Sequence, residues 1–299
     1  MQQRTKAILA LLGVGATIGL TTNLAKLAGQ MQIPALGFLF WSLVVADALL
    51  LMRAAVWREL PPVGRRPLEY YVVAGLLTAA GANIIFFLAI PKTGAAYISL
   101  VLALPPLLTY VGALFFRLER FDALRFVGVI TALAGVAWLA MGELRAQSGN
   151  TVWLLLGLTG PLILAAGDIY RTLRWPAGAS PLALTPGMLG CALVVIALTS
   201  VGLGHPIAIG LDRSTIALVA SEGLAFALQY LLLFMLQKLG GPVLLSLIGG
   251  VGALVAVPVA FWVLGEALPA NLALAATGIC VGLVLVAGRA SRGEPAAVR

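Results

Sequence analysis

The stretch Leu100–Phe116 reads LVLALPPLLTYVGALFF. It is apolar enough to cross a bilayer as a helix, yet Pro105 and Pro106 stand side by side in its first half. Proline lacks the backbone donor and collides with the carbonyl one turn back, at about 3 kcal/mol or more in a helix interior. Backbone carbonyls freed at membrane depth are tolerated only where they face protein or a watery cavity. What surrounds this break, and whether it recurs, decides the fold.

The chain around it has 299 residues, 61% hydrophobic and 10% charged. A soluble chain usually carries about 25% charged residues, so the main solvent of this one is lipid. Ten apolar runs recur, each near the length that spans a hydrocarbon core as a helix. They cover about 5–26, 34–56, 68–90, 96–116, 123–142, 152–171, 181–203, 214–237, 242–264 and 269–288. The expected fold class is an all-α membrane protein of ten transmembrane helices. Arg4 and Lys6 precede the first run, which reads as a retained helix rather than a cleaved signal peptide.

The net charge of +8 lies between apolar runs, so it orients the chain in a membrane and does not call for nucleic acid. With both termini on the cytoplasmic side, inner segments hold 15 of the Lys and Arg residues and outer segments hold 4, namely Lys26, Lys92, Arg145 and Arg213. That bias matches the positive-inside rule and a bacterial-type inner membrane. Trp57, Trp138, Trp153, Trp175 and Trp262 lie near expected helix ends, where amphipathic rings favour the headgroup zone.

The proline-bearing segment recurs. Pro91–Gly142 and Gln237–Gly288 align at an offset of 146 to 147, with Lys92 and Gly94 on Lys238 and Gly240, Glu119 on Glu266, and Gly135 on Gly282. Earlier parts align more weakly: TTNLAK, ending at Lys26, meets AAGDIYR, ending at Arg171, and Asn83 falls opposite Gln229. Five helices per half is an odd number, so the second half enters the membrane upside down. Such inverted repeats place a substrate site near the midplane, between helices interrupted by Gly or Pro in corresponding positions. The organisation expected is residues 1–146 as a first five-helix repeat, 147–290 as a second, and 291–299 as a mobile cytoplasmic tail. Pro105 and Pro106 in the fourth helix, and Gly249, Gly250 and Pro258 in the ninth, are the expected helix-break and gating positions.

A P/G-interrupted helix ending near a "GE" pair, followed by a glycine-spaced helix and occurring twice, resembles the drug/metabolite transporter superfamily, in its EamA-type ten-helix branch. The second copy, VLGEALPANLALAATGICVGLVLVAG, keeps Gly265 and Glu266. The first, FFRLERFDALRFVGVITALAGV, keeps Glu119 but has Leu118 where the family has glycine. Asn23 and Lys26 approximate the family's N-x-x-x-K, shortened by one residue. The resemblance covers nearly the whole chain and implies a 5+5 inverted repeat with cytoplasmic termini. It also implies a central cavity lined by helices 1, 3, 4, 6, 8 and 9, with helices 5 and 10 peripheral. Many bacterial members resemble amino-acid exporters.

Polar residues at membrane depth are expensive and mark candidate sites. Glu222 and Asp47 are the candidates for proton coupling. Glu222 lies seven residues before Gln229, on the same helical face. Asp168 stands three residues before Arg171, a spacing that suits an ion pair. Asn83, Tyr110, Gln229, Tyr230, Trp41 and Phe86 are the candidate substrate-binding residues, an aromatic pocket with a few polar groups for an amphipathic small molecule. Glu119 and Glu266 are expected to cap helices or pair with nearby arginines.

The one histidine, His205, excludes a multi-histidine metal centre, and Cys191 and Cys280 sit in apolar runs as small apolar residues. No Walker sequence, G-x-S-x-G or H-E-x-x-H occurs, so neither ATP hydrolysis nor familiar hydrolase chemistry is indicated, and no cofactor is called for. The reading is a secondary transporter exporting small amphipathic metabolites, amino acids first, by alternating access. The alternatives are export of other metabolites or drug-like compounds, or a channel or scramblase. The expected partners are the substrate and the lipid bilayer, with the protein a monomer or weak homodimer.

Overall fold

A computed structural model describes residues 2–117, 121–146, 151–245, 248–268 and 271–290. The described chain is helical throughout: α1 (Gln2–Gln30), α2 (Ala35–Val56), α3 (Arg65–Ala74), a π-helical segment (Gly75–Gly81), α4 (Ala82–Thr93), α5 (Ala95–Val101), α6 (Pro105–Phe115), α7 (Ala123–Ala146), α8 (Thr151–Arg174), α9 (Pro181–Leu203), α10 (Arg213–Leu245), α11 (Ile248–Trp262) and α12 (Leu272–Ala290). Among the described residues, seven helical runs are long and apolar enough to cross a membrane, and α11 and Leu272–Gly282 of α12 are shorter apolar helices. The molecule is an all-α, multi-span membrane protein.

Its outer surface confirms the solvent. Leu9, Val194, Leu198, Val201, Leu254, Leu274 and Val284 are exposed, each on an apolar helix, where a soluble bundle would place charge. With no water to satisfy them, hydroxyls inside the helices turn back on their own backbone. Thr17 donates to the Val14 carbonyl at 2.8 Å, Thr78 to Ala74 at 2.6 Å and Thr185 to Pro181 at 2.9 Å.

Small residues set the packing, as they must where lipid gives no hydrophobic drive between helices. α1 runs beside α11, Gly15 against Val251 and Gly19 against Ala256, in the same direction. α8 runs beside α5 and α6, Gly157 against Ile98 and Gly112 against Ile169, also in the same direction. α7 and α12 run antiparallel. A Cβ on Gly135 would fall 2.9 Å from the Ala275 carbonyl oxygen, one on Gly278 3.4 Å from that of Thr131, and one on Gly282 would collide with that of Gly128.

The expected helix 4 is divided into α5 and α6, and Pro105 opens α6 instead of kinking a continuous helix. There its missing N–H costs nothing, because the first helical donors have no intrahelical acceptor anyway. The expected helix 3 carries the unforeseen π segment; Thr78 within it packs on Gly167 of α8. The expected loop at 238–241 is instead helical, since α10 continues to Leu245. Glu119 and the 291–299 tail lie outside the described residues.

Candidate functional site

The break between α5 and α6 meets α11, which, unlike the expected ninth helix, runs unbroken from Ile248 to Trp262 through Gly249, Gly250 and Pro258. Gly249 of α11 lies against Ala103, in the short connection between α5 and α6. Any side chain at 249 would collide with the Ala103 Cα. The loosened backbone of Leu102–Leu104 thus faces protein, and Val101 and Ala103 are fully buried.

Polar groups gather on either side of this crossing. At the level of α1, Asn23 is buried and its amide donates to the Gly19 carbonyl at 2.7 Å and to Ala256 of α11 at 3.1 Å. Its Oδ1 has no partner among the described residues. Toward the Gly94 end of the bundle, Lys26 reaches the Pro91 carbonyl at 3.4 Å. Glu266, from the loop after α11, accepts the Ala95 N–H at 2.9 Å and so caps α5. Gly94 makes the turn with φ of +97°, a backbone region that favours glycine. Burial pushes the Glu266 carboxyl upward, opposed by the Ala95 N–H and by Lys26. Trp41 closes the same end, its indole N–H donating to the Ile207 carbonyl at 3.2 Å.

The opposite end is built differently. Arg171 of α8 is 12% exposed in its side chain, and Asp168 stands 3.7 Å from it. Asp168 leaves 43% of its side chain exposed. The Arg171 guanidinium lies within electrostatic reach of Tyr70 of α3 and of Tyr230 of α10. The Tyr70 ring stacks on Tyr170 at 6.2 Å and meets Trp175 edge-on at 5.8 Å. Arg171 Nε is buried with no partner among the described residues.

The candidate residues from the sequence are distributed over these regions. Tyr230 lies within electrostatic reach of Arg171, and Gln229, beside it in sequence, has a buried Oε1 without a partner among the described residues. Phe86 is buried against Gly160 of α8. The Asn83 amide donates to its own helix, to Ala79 at 2.8 Å. The Tyr110 hydroxyl accepts the Asp122 N–H at 3.0 Å, and Arg125 lies over the Tyr110 ring at 5.5 Å, which ties the end of α6 to the start of α7. Glu222 is fully buried in α10, one residue before Gly223, which abuts Ser42 and Val45 of α2. Neither Glu222 oxygen has a partner among the described residues, nor does Asp47 Oδ1 on α2. Gly250 and Pro258 are partly buried in α11.

The sequence pattern pairs Arg171 with Asp168, as found, but does not single out Tyr70, whose place beside Tyr170 depends on α3 packing on α8. Groups of three or more potential metal ligands do not occur among the described residues.

The model of the EamA-like transporter family matches residues 5–141. No curated protein matches the chain. Among solved structures, a chain described as "Crystal structure of protein" is 20% identical and superposes with a TM-score of 0.64, covering 98% of this chain and 99% of that one. Over its whole length the chain therefore shares the fold of that crystallised protein, and its first half carries the pattern of the EamA-like transporter family.

Proposed function

We propose that the protein is a secondary transporter that exports small amphipathic metabolites, amino acids first among them, across a bacterial-type inner membrane by alternating access. The observation that carries this reading is the meeting of Gly249 with Ala103, where α11 crosses the break between α5 and α6.

In this reading the chain crosses the membrane ten times, with both termini cytoplasmic and residues 1–146 and 147–290 as inverted repeats. The antiparallel α7–α12 contact supports it. Shifting residue numbers by 147 turns the Gly135–Ala275 contact into the Gly282–Gly128 contact. The same shift pairs Thr131 with Gly278, which touch each other. A self-exchanging contact between antiparallel mates is what a two-fold axis in the membrane plane produces. The Gly94 end is then extracellular, and the Asp168–Arg171 pair lies toward the cytoplasm.

Pro105, Pro106, Gly249, Gly250 and Pro258 serve as the flexible positions of the two crossing helices. Tyr230, Gln229 and Phe86 contribute to the substrate path, with Asn83, Tyr110 and Trp41 engaged in other conformations of the cycle. Glu222 is the coupling residue. A buried ionised carboxyl without a partner is costly, so a change in its proton occupancy would demand a rearrangement between α10 and α2.

Counterflow in proteoliposomes, with a panel of radiolabelled amino acids, tests the reading. Saturable uptake accelerated by internal substrate is expected. Flux that rises linearly with concentration and is not competed would mean a pore or scramblase instead. Glu222→Gln should abolish the pH dependence of uptake; unchanged transport at every pH would make Glu222 structural. The aromatic rings around Tyr70 favour, as a second reading, export of drug-like aromatic compounds.

A further inference from the structure

The connection between α2 and α3 joins two membrane-crossing runs, Ala35–Val56 and Arg65–Thr93, so it lies at a bilayer surface. Its composition is unlike that of a loop facing only water. Trp57 is 68% exposed, Leu60 62%, and Val63 fully. Arg58, Arg65 and Arg66 stand exposed among them. Three large apolar side chains gain nothing from water, and three guanidinium groups are costly deep in lipid. The mixture fits the headgroup zone, where indole and aliphatic groups enter the acyl region and the charges stay outside it.

The loop is held in shape. Arg53 binds Glu59 at 2.9 Å, and its guanidinium lies 5.7 Å over the Trp57 ring. The Tyr71 hydroxyl donates to the Pro62 carbonyl at 3.0 Å, and the Glu59 N–H to the Ala54 carbonyl at 2.9 Å. Glu59 is thereby occupied, whereas Arg58, Arg65 and Arg66 have no carboxylate partner among the described residues. Arg58 has a φ of +54°, a region that glycine takes more readily. The end of α6 repeats the arrangement: Phe116 is 53% exposed, and Arg117 follows it at a φ of +56°. Gly112 of α6 lies on Ile169 of α8, and Tyr70 of α3 stacks on Tyr170, which puts this second arginine at the same end of the bundle.

We infer that the loop from Trp57 to Arg66 is a docking surface for anionic phospholipid. Arg58, Arg65 and Arg66 gather the phosphate oxygens of headgroups that carry a net negative charge, while Trp57, Leu60 and Val63 enter the acyl region beneath them. Guanidinium groups grip phosphate through parallel hydrogen bonds. A zwitterionic headgroup brings its own ammonium, which the same arginines repel, so charge complementarity selects the anionic lipid. The inference holds whatever solute the protein carries.

Fluorescence quenching in vesicles tests it on the full chain. The protein is reconstituted in phosphatidylcholine with a minor fraction of phosphatidylglycerol, and bromine is placed on the acyl chains of one lipid or the other. The Trp57 signal is the difference between the wild type and Trp57→Phe. Brominated phosphatidylglycerol should quench Trp57 well beyond its share of the bilayer. The fraction giving half-maximal quenching should rise about fivefold for each of Arg58→Gln, Arg65→Gln and Arg66→Gln. Arg213→Gln, at the other end of the bundle, should leave it unchanged. In the triple arginine variant Trp57 should still be quenched, but by each lipid in proportion to its abundance. Raising salt from about 0.1 M to about 1 M shortens the screening length from about 10 Å to about 3 Å. It should weaken the wild-type preference in the same way, with no substitution to disturb folding. Proportionate quenching of wild-type Trp57 by the two lipids overturns the inference. Absence of quenching by either does so too, and leaves the loop in water. A preference that survives both the triple variant and high salt likewise removes the arginines from the site.

Discussion

Gly249 and Ala103 touch backbone to backbone: a Cβ on Gly249 would collide with the Ala103 Cα and sit 2.6 Å from the Leu102 carbonyl oxygen. The contact fixes where α11 crosses the break between α5 and α6. Gly249→Ala is expected to destabilise the protein by about 1–3 kcal/mol through overpacking against rigid backbone, and to slow transport more than Gly190→Ala. Gly190 has no atom within 4 Å of its added Cβ, so its replacement should be neutral or slightly stabilising. Thermal melts in detergent beside initial uptake rates check both. Equal melting and equal uptake for the two variants would mean that the crossing tolerates separation.

The α7–α12 interface makes a comparative prediction. Gly135 and Gly282 each approach a carbonyl of the opposite helix, Gly135 that of Ala275 and Gly282 that of Gly128. Gly135→Leu and Gly282→Leu should therefore be similarly destabilising, each by roughly 1–3 kcal/mol. Guanidinium or thermal denaturation of the two variants side by side measures this. A large effect at one position and none at the other would remove the equivalence of the halves.

Gly94 is held twice, by its φ of +97° and by the Glu266 carboxylate lying where a Cβ would be. Gly94→Ala should cost about 1–3 kcal/mol from backbone strain alone, and more with the collision. Glu266→Ala removes the cap on α5 and should cost about 1 kcal/mol. The double variant should lose less than the sum of the singles, because removing Glu266 relieves the collision. A double-mutant cycle on thermal stability reads the coupling, and strict additivity would place Glu266 away from Gly94 in solution.

Asp212 supplies a pH dependence outside the membrane. Its carboxylate accepts hydrogen bonds from the Ser214 hydroxyl and from the Thr215 N–H at 3.0 Å, which hold its pKa at about 2. The value is depressed below an ordinary aspartate at about 3.9. Its contribution is therefore complete above the ordinary value and is lost as pH falls through about 2. Amide exchange in the first turn of α10 should quicken over that window in the wild type and stay flat in Asp212→Asn. The same acceleration in the variant would assign the effect to another group.

Much of this architecture could be read from residue order. Pro105 and Pro106 placed a break in the fourth apolar run, and α5 does end at Val101 before α6 starts at Pro105. The apolar periodicity set the helices, because in lipid no other backbone arrangement satisfies its polar groups. The π segment escaped notice because Gly75–Gly81 is composed like the helix around it, and the widened turn answers to packing on Gly167, a partner distant in sequence. The end of α10 escaped for the opposite reason. Gly240 and Gly241 suggest a boundary, but glycine permits one without requiring it. The surroundings of Arg171 depend on α3 packing beside α8, so that Tyr70, distant in sequence, stacks on Tyr170 next to it.

The capped turn at Gly94 has one more implication. Under the inverted-repeat reading its counterpart is Gly240, which lies inside a helix that runs unbroken to Leu245. Two segments written to a shared plan then hold different shapes within one molecule, one folded over and one straight. If each adopted the shape of the other, the tied end would loosen and its opposite would fold over. On that reading the blueprint for the reverse-facing molecule is contained in this one, half of it in each five-helix unit.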